Sequence, residues 1–357
     1  MANSNGTNGS NGEGAAEGAA EGAAEGAADV PADRTADGSP ANGTARTTGT
    51  DNTHRSDHLE TPDGARVATY TWLPEGSDPR ALVQIAHGAA EHGLRYDRFA
   101  RFLAGQGYAV VASDHRGHGA TAASTGGYGV AGDDGWRAVV ADLKAVGDRA
   151  RAEHPGTPLV LLGHSLGSML ARDCAQEYGD ELAGLILSGT FRSLPGAETE
   201  GAIADLEREI AQRGRSALSS FIPNLFASFN DPYTHRTGFE WLSRDEAEVD
   251  VYVADERCGF PFSAGLALDW VRAVRKINDP RNLARIPTGL PVHIAVGTED
   301  PCHQGMTLIY ELLEDFRYLG TEDLSWKAYP DARHEILNET NRDEVQHDLL
   351  DWLNKHT

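Results

Sequence analysis

An α/β fold is expected for this chain of 357 residues: a mostly parallel central sheet with helices on both faces and a helical cap inserted after the sixth strand. Three features predict it. Short apolar runs alternate with helical stretches from about His58 onward, the pattern of parallel strands joined by crossover helices. Roughly a hundred residues then separate two successive strands, where a crossover needs only about a dozen. A Gly-x-Ser-x-Gly pentapeptide also lies between an apolar strand and a helical pattern.

The first strands are expected at Arg66 to Leu73 and Ala81 to Ala86. Tyr96 to Gly107 carries Phe99, Phe102 and Leu103 three and four apart and reads as a helix. Tyr108 to Ser113 is the next strand, and a glycine-rich loop leads into a helix from about Asp133 to Glu153. Pro158 to Leu162, Leu166 to Tyr178 and Leu182 to Ser188 follow as strand, helix and strand. The insertion spans residues 191–285 and begins with an acidic helical stretch around Ala202 to Gln212. It continues with Phe221, Ile222, Leu225, Phe226 and Phe229, an apolar stripe at helical spacing. Such a stripe usually packs into a core, but its place over the active edge of the sheet makes it a candidate lid and substrate contact. Leu290 to Val296 and Leu324 to Tyr329 complete the sheet. A last helix from Arg342 to Lys355 turns Val345, Leu349 and Trp352 inward, so the core domain comprises residues 56–190 and 286–357.

Residues 1–55 read differently. The repeat Glu13-Gly-Ala-Ala-Glu17 recurs to Glu25, and each copy holds a glycine that costs about 1 kcal/mol inside a helix. With nothing large to bury, a disordered acidic tail is expected, serving as spacer or solubiliser. The tail has 8 acidic and 3 basic residues, so most of the net charge of -23 belongs to the folded body. That charge excludes nucleic acid as a partner and allows at most transient membrane contact. Cys174, Cys258 and Cys302 form no CxxC pair, which argues against a disulfide framework or a structural zinc site and for a reducing compartment. No run nears the roughly 20 apolar residues of a membrane span, and no secretory signal opens the chain; a soluble, cytoplasmic protein is expected.

The chemistry centres on Gly163-His164-Ser165-Leu166-Gly167, directly after the strand Leu159 to Leu162. A serine on so tight a turn needs neighbours at -2 and +2 with almost no side chain, and Gly163 and Gly167 supply them. The helix that begins at Leu166 aims unpaired N–H groups at charge developing on an attacked carbonyl. A serine hydroxyl also needs a histidine base and a carboxylate to hold it. His334 follows the last strand, and the acid is Asp300 or Glu299 in the loop after Val292 to Val296. Serine, acid, histidine is the required chain order. The loop His87-Gly88-Ala89-Ala90-Glu91-His92 is small where backbone must approach substrate, so the Ala89 and Leu166 amides are the expected oxyanion donors. Asp114-His115-Arg116-Gly117-His118-Gly119 is assigned to loop geometry. Cys302 and His303 lack a second ligand cluster, so no metal is expected.

These stretches, with Arg95-Tyr96 and His334-Glu335-Ile336-Leu337-Asn338-Glu339, resemble the α/β-hydrolase superfamily. Within it they are similar to the monoacylglycerol lipase and lysophospholipase-like branch, also grouped with serine aminopeptidase-like hydrolases. The resemblance runs through nearly all of residues 58–357. It implies a cofactor-free serine hydrolase with Ser165, Asp300 and His334 as triad, selects Asp300 over Glu299, and gives the cap an acyl pocket. A small-molecule acyl ester, such as a monoacylglycerol or lysophospholipid-like lipid, is the expected substrate. A thioesterase, an aminopeptidase-type hydrolase and a non-catalytic small-ligand binder remain alternatives. In one place the chain departs from the family: Ala120-Thr121 follows the Gly-His-Gly turn where a serine is usual.

Overall fold

The computed structural model describes residues 54–76, 78–194 and 200–357. Eight strands form one sheet: β1 (Arg55–Glu60), β2 (Arg66–Trp72), β3 (Leu82–Ala86), β4 (Ala109–Ser113), β5 (Leu159–His164), β6 (Gly184–Ser188), β7 (Val292–Gly297) and β8 (Leu324–Tyr329). Their order is β1-β2-β4-β3-β5-β6-β7-β8. β1 and β2 are antiparallel to their neighbours, and β4, β3, β5, β6, β7 and β8 run parallel. Every strand expected from the sequence is present, with ends displaced by at most two residues. The strand β1 was not expected. Its sequence, Arg-Ser-Asp-His-Leu-Glu, is exposed at all positions but Leu59, so this edge strand carries no apolar alternation to find. Arg55, assigned to the tail, opens it, and residues 1–53 lie outside the described residues.

Helices α1 (Asp97–Gly105), α2 (Ala122–Thr125), α3 (Gly135–Glu153) and α4 (Leu166–Tyr178) connect the strands up to β6. Between β6 and β7 come α5 (Glu200–Arg213), α6 (Phe221–Asn230), α7 (Glu246–Ala254), α8 (Ala264–Ile277) and α9 (Pro280–Leu283). Then α10 (Thr307–Leu319) leads to β8, and α11 (Arg342–His356) ends the chain. The insertion expected after the sixth strand is therefore a run of helices, and the helix expected at Ala202 to Gln212 is α5. α10 had no assignment, although Leu308, Leu312 and Phe316 recur four apart and are buried.

Period-two alternation divides the strand side chains between two cores. On β5, Leu161 faces the core shared with α3, α4, α8 and α10, while Val160 and Leu162 face the one shared with α1 and α11. Burial on both faces explains why the inner strands read as continuous apolar runs. The insertion is tied to the first core through Trp270 on α8, which is 2% exposed and donates its indole N–H to the Met169 sulfur on α4 at 3.2 Å. Among the described residues no helix is long and apolar enough to cross a membrane, and the three cysteines are free.

Replacing Trp270 with Ala should leave a cavity between α8 and α4 and lower stability by about 3–5 kcal/mol. Denaturant melts with an unchanged m-value would read this directly. A loss below about 1 kcal/mol would mean that the insertion does not depend on this contact.

Candidate active site

The chain leaves β5 at His164 and enters α4 at Leu166, with Ser165 between them at φ 54° and ψ -121°. No ordinary L-residue adopts this conformation without strain, of order 1–3 kcal/mol. Surrounding bonds hold it there. The Ser165 amide donates to Ser188 O at 3.0 Å, and the Ser165 carbonyl accepts from the Ser168 amide at 2.9 Å and its hydroxyl at 2.6 Å. The flanking glycines are dictated by contact. A Cβ on Gly163 would lie 2.3 Å from Gly167 O, and one on Gly167 would lie 2.0 Å from Ala86 O.

Asp300 and His334 meet in the loops after β7 and β8. His334 Nδ1 and Asp300 Oδ2 are 2.7 Å apart, and Asp300 Oδ1 accepts the Cys302 amide at 2.9 Å. Both side chains are buried. Glu299, the competing acid, is exposed and makes no hydrogen bond or ion pair with a histidine among the described residues; its carbonyl accepts the Tyr233 hydroxyl. Burial disfavours the His334 imidazolium, but the Asp300 charge and hydrogen bond outweigh it and raise its pKa above the ordinary value. Burial likewise works against the Asp300 carboxylate, which His334 nonetheless holds below its usual range. With Nδ1 committed to Asp300, Nε2 is the nitrogen left for a hydroxyl. Ser165 follows His164, whose ring centroid lies 4.9 Å from that of His334.

The loop after β3 brings Ala89 beside this group. Gly88 lies against the elbow, where an added Cβ would meet the Ser165 Cβ at 3.2 Å. The Ala89 amide is engaged by no hydrogen bond among the described residues. Leu166 N opens α4, where a helix leaves its first amides unpaired. Among the described residues neither the Ala89 nor the Leu166 amide makes a hydrogen bond.

Of the stripe on α6, Ile222, Leu225, Phe226 and Phe229 are buried and Phe221 is half-buried. Ile222 and Phe226 line a cavity of ≈ 280 Å³ with Pro223, Asn230, Phe239 and Phe260. Leu225 and Phe229 do not line it. Phe226 and Phe229 both pack on Trp241, at 5.2 Å between centroids, and Trp241 lies 4.9 Å from His334. Trp241 carried no signal in the sequence, because it sits in an irregular segment between helices.

A buried ion-pair network was also not anticipated. Arg95 pairs with Glu91 at 2.6 Å and, through two nitrogens, with Glu335 at 2.5 and 2.7 Å. Glu91 in turn accepts the Gly88 amide at 2.5 Å and the Tyr96 hydroxyl at 3.0 Å. Charged residues flanking two motifs were the only hint of it. The glycine-rich loop after β4 does serve geometry: Asp114 accepts from the Gly93 amide, the Tyr70 hydroxyl and the Ala120 amide. Thr121, at the departure from the family pattern, fills its place by donating to Asp114 O at 2.8 Å and accepting the Ala68 amide at 2.9 Å.

Two groups among the described residues bring potential metal donors within 4.8 Å: His92, Asp255 and Cys258, and Asp300, Cys302 and His334. In the second, Asp300 and His334 already bind each other. In the first, Arg257 bridges both Asp255 oxygens at 2.9 and 2.7 Å. His303 makes no such group, because its ring nitrogens meet Gly297 O at 2.7 Å and the Met306 amide at 3.0 Å.

A strained serine between β5 and α4, with an acid and a histidine after β7 and β8, makes this an α/β-hydrolase. The pattern of the family described as "Serine aminopeptidase, S33" matches residues 77–341, and the chain belongs to that family. It is similar to monoglyceride lipase of Homo sapiens, 30% identical over 84% of this chain and 90% of the relative. Monoacylglycerol lipase of Mycolicibacterium smegmatis is 28% identical over 85% of this chain and 98% of that one. Among solved structures, a thermostable carboxyl esterase from Bacillus coagulans aligns with a TM-score of 0.79 at 27% identity, covering 85% of this chain and 99% of the other.

Arg95→Met should leave Glu91 and Glu335 buried without a counter-charge and cost about 3–5 kcal/mol. The neutral double change Glu91→Gln with Glu335→Gln in that background should recover part of it. Equilibrium unfolding of the three proteins would expose the alternative, an Arg95→Met variant as stable as wild type.

Proposed function

We propose that this protein hydrolyses carboxylic esters through an acyl-enzyme, with monoacylglycerol or lysophospholipid-like lipids as substrates. The 2.7 Å contact between His334 Nδ1 and Asp300 carries the reading, because it leaves Nε2 as the base. Ser165 Oγ attacks the ester carbonyl while its proton passes to His334 Nε2. The imidazolium is stabilised by Asp300, and the oxyanion is held by the Ala89 and Leu166 amides. Collapse of the tetrahedral intermediate breaks the C–O bond, and His334 returns the proton to the departing alcohol. Water then attacks the acyl-Ser165 ester with the same base and releases the acid.

The substrate class rests on the cavity beside α6. Ile222, Pro223, Phe226, Phe239 and Phe260 offer an acyl chain an apolar wall. An aminopeptidase would need carboxylates arranged around a free amine, and Asp231 is the single one among the lining residues. The names of the relatives point the same way as the wall. We take residues 191–285 as the cap that carries this pocket.

Ser165→Ala should lower kcat by about 10⁶-fold with the fold intact, and a fluorophosphonate probe should label the wild type alone. Comparing monoacylglycerols and p-nitrophenyl acyl esters with aminoacyl anilides tests the substrate class. Faster turnover of the anilides would refute the ester reading.

His334 must be neutral to act, so kcat/KM should rise with pH and level off above the His334 pKa, which the Asp300 charge raises above the ordinary histidine value. Asp300→Asn removes the charge that raises that pKa. Its acid limb should move to lower pH while turnover falls about 10⁴-fold. An acid limb that stays in place would assign it to another group.

A further inference from the structure

Three successive amides of the loop after β3, those of Gly88, Ala89 and Ala90, behave differently. The Gly88 N–H is taken by Glu91 Oε1 at 2.5 Å, and the Ala90 N–H by His118 Nε2 at 3.2 Å. Only the middle one, Ala89, is left for a ligand. Ala90 has φ 52°, a left-handed conformation that costs a residue with a Cβ about 1–2 kcal/mol. Its carbonyl accepts from the Gly259 amide at 2.9 Å and from the Tyr252 hydroxyl at 3.0 Å. The Ala89–Ala90 peptide is therefore held at its N–H and the next peptide at its carbonyl, and these anchors fix the chain immediately after the Ala89 N–H.

We propose that His118 is a positioning residue of the oxyanion hole: its Nε2 lone pair holds the Ala90 amide, and so aims the Ala89 N–H at the carbonyl under attack. The inference rests on the acyl-transfer reading above and assigns a role to a motif otherwise left to loop geometry. The ring is set up as an acceptor. Its Nδ1 lies 3.0 Å from Arg116 O, a carbonyl that can only accept, so the proton sits on Nδ1 and Nε2 is bare. Phe260 and Phe262 meet the ring edge-on at 5.1 and 5.2 Å, and the His87 and His115 rings lie at 5.2 and 6.0 Å. Burial in this apolar shell pushes the His118 pKa down to about 4, against the pull of the Arg116 carbonyl and the Glu91 charge, so the lone pair is present at neutral pH. His118 reaches no reacting atom. It acts through the backbone.

The test compares His118→Phe, which keeps a ring and loses the acceptor, with His118→Gln, whose amide oxygen restores one. His118→Phe should lower kcat about 10²-fold with KM within twofold of wild type, as expected for a misaimed transition-state donor. It should weaken a trifluoromethyl ketone inhibitor, which forms an oxyanion adduct with Ser165, by the same factor. His118→Gln should recover most of both. A purely structural role would lower the melting temperature of both variants without separating adduct affinity from KM, and that result overturns the proposal. Should either variant fail to fold, the ¹⁵N shifts of His118 in wild type decide: a bare Nε2 supports the assignment, and a protonated Nε2 overturns it. If Ser165→Ala keeps its activity, the acyl-transfer reading fails; if that reading stands and His118→Phe binds the ketone as wild type does, this inference alone fails.

Discussion

Where β5 passes into α4 two backbones all but touch, and the rest of the site is arranged around that approach. The carbonyl of Ala86, at the end of β3, lies 2.0 Å from where a Cβ on Gly167 would be. This contact sets the first turn of α4 against the end of the neighbouring strand. The same strand continues into the loop that carries Ala89. A single close crossing therefore sets the Ser165 turn, the start of α4 and the loop that carries Ala89 against one another. Bonds from the Ser165 backbone to Ser188 and Ser168 offset the strain of its φ, and those two residues belong to β6 and α4.

Electrostatics then distinguish one imidazole from its neighbours. Burial lowers the pKa of His87, His92, His115, His118, His164 and His293, so these rings are held neutral. His334 feels the same burial, but a carboxylate in direct contact reverses the sign. The result is one ring able to take up and stabilise a proton among several that serve as fixed donors and acceptors. His92 also meets a carboxylate, Asp255 at 3.0 Å, but burial and the Arg257 charge on that carboxylate keep its pKa low, so the distinction lies in a carboxylate with no competing cation among the described residues.

How much of this could be read from the chain follows the same physics. The parallel strands were legible because burial on both faces makes them continuously apolar, and the elbow because two glycines flank the serine at fixed offsets. Asp300 and His334 were legible from their places just beyond strands, since chemistry in such sheets gathers at carboxyl ends. β1 was hidden because an exposed edge strand needs no apolar pattern, whereas the pattern of α10 was present in Leu308, Leu312 and Phe316. The Arg95 network was hinted at only by charged residues beside two motifs, and Trp241 and the His118 contact were not legible. Each joins residues far apart in sequence through geometry that no local spacing encodes; His118 meets Ala90 across 28 residues and Arg95 meets Glu335 across 240.

The insertion between β6 and β7 is joined to the site by main chain as well as by side chains such as Tyr252 and Trp241. Trp241 O accepts the His334 amide, Leu242 O accepts the Glu335 amide, and the Gly259 amide donates to Ala90 O. Bonds of this kind depend on backbone path and are indifferent to side-chain identity. The apolar residues around the cavity can therefore change without undoing these main-chain bonds to the loops that carry His334 and Ala90. Two sets of requirements are separated as a result. The loops that do chemistry must keep particular side chains, and the inserted segment must keep its course and anchors such as Tyr252 and Trp270. Residues such as Ile222, Phe226 and Phe239 make none of these polar anchors and can be exchanged while the charge relations around His334 stay as they are. Sequence motifs consequently identify the chemistry more readily than the acyl group it acts on.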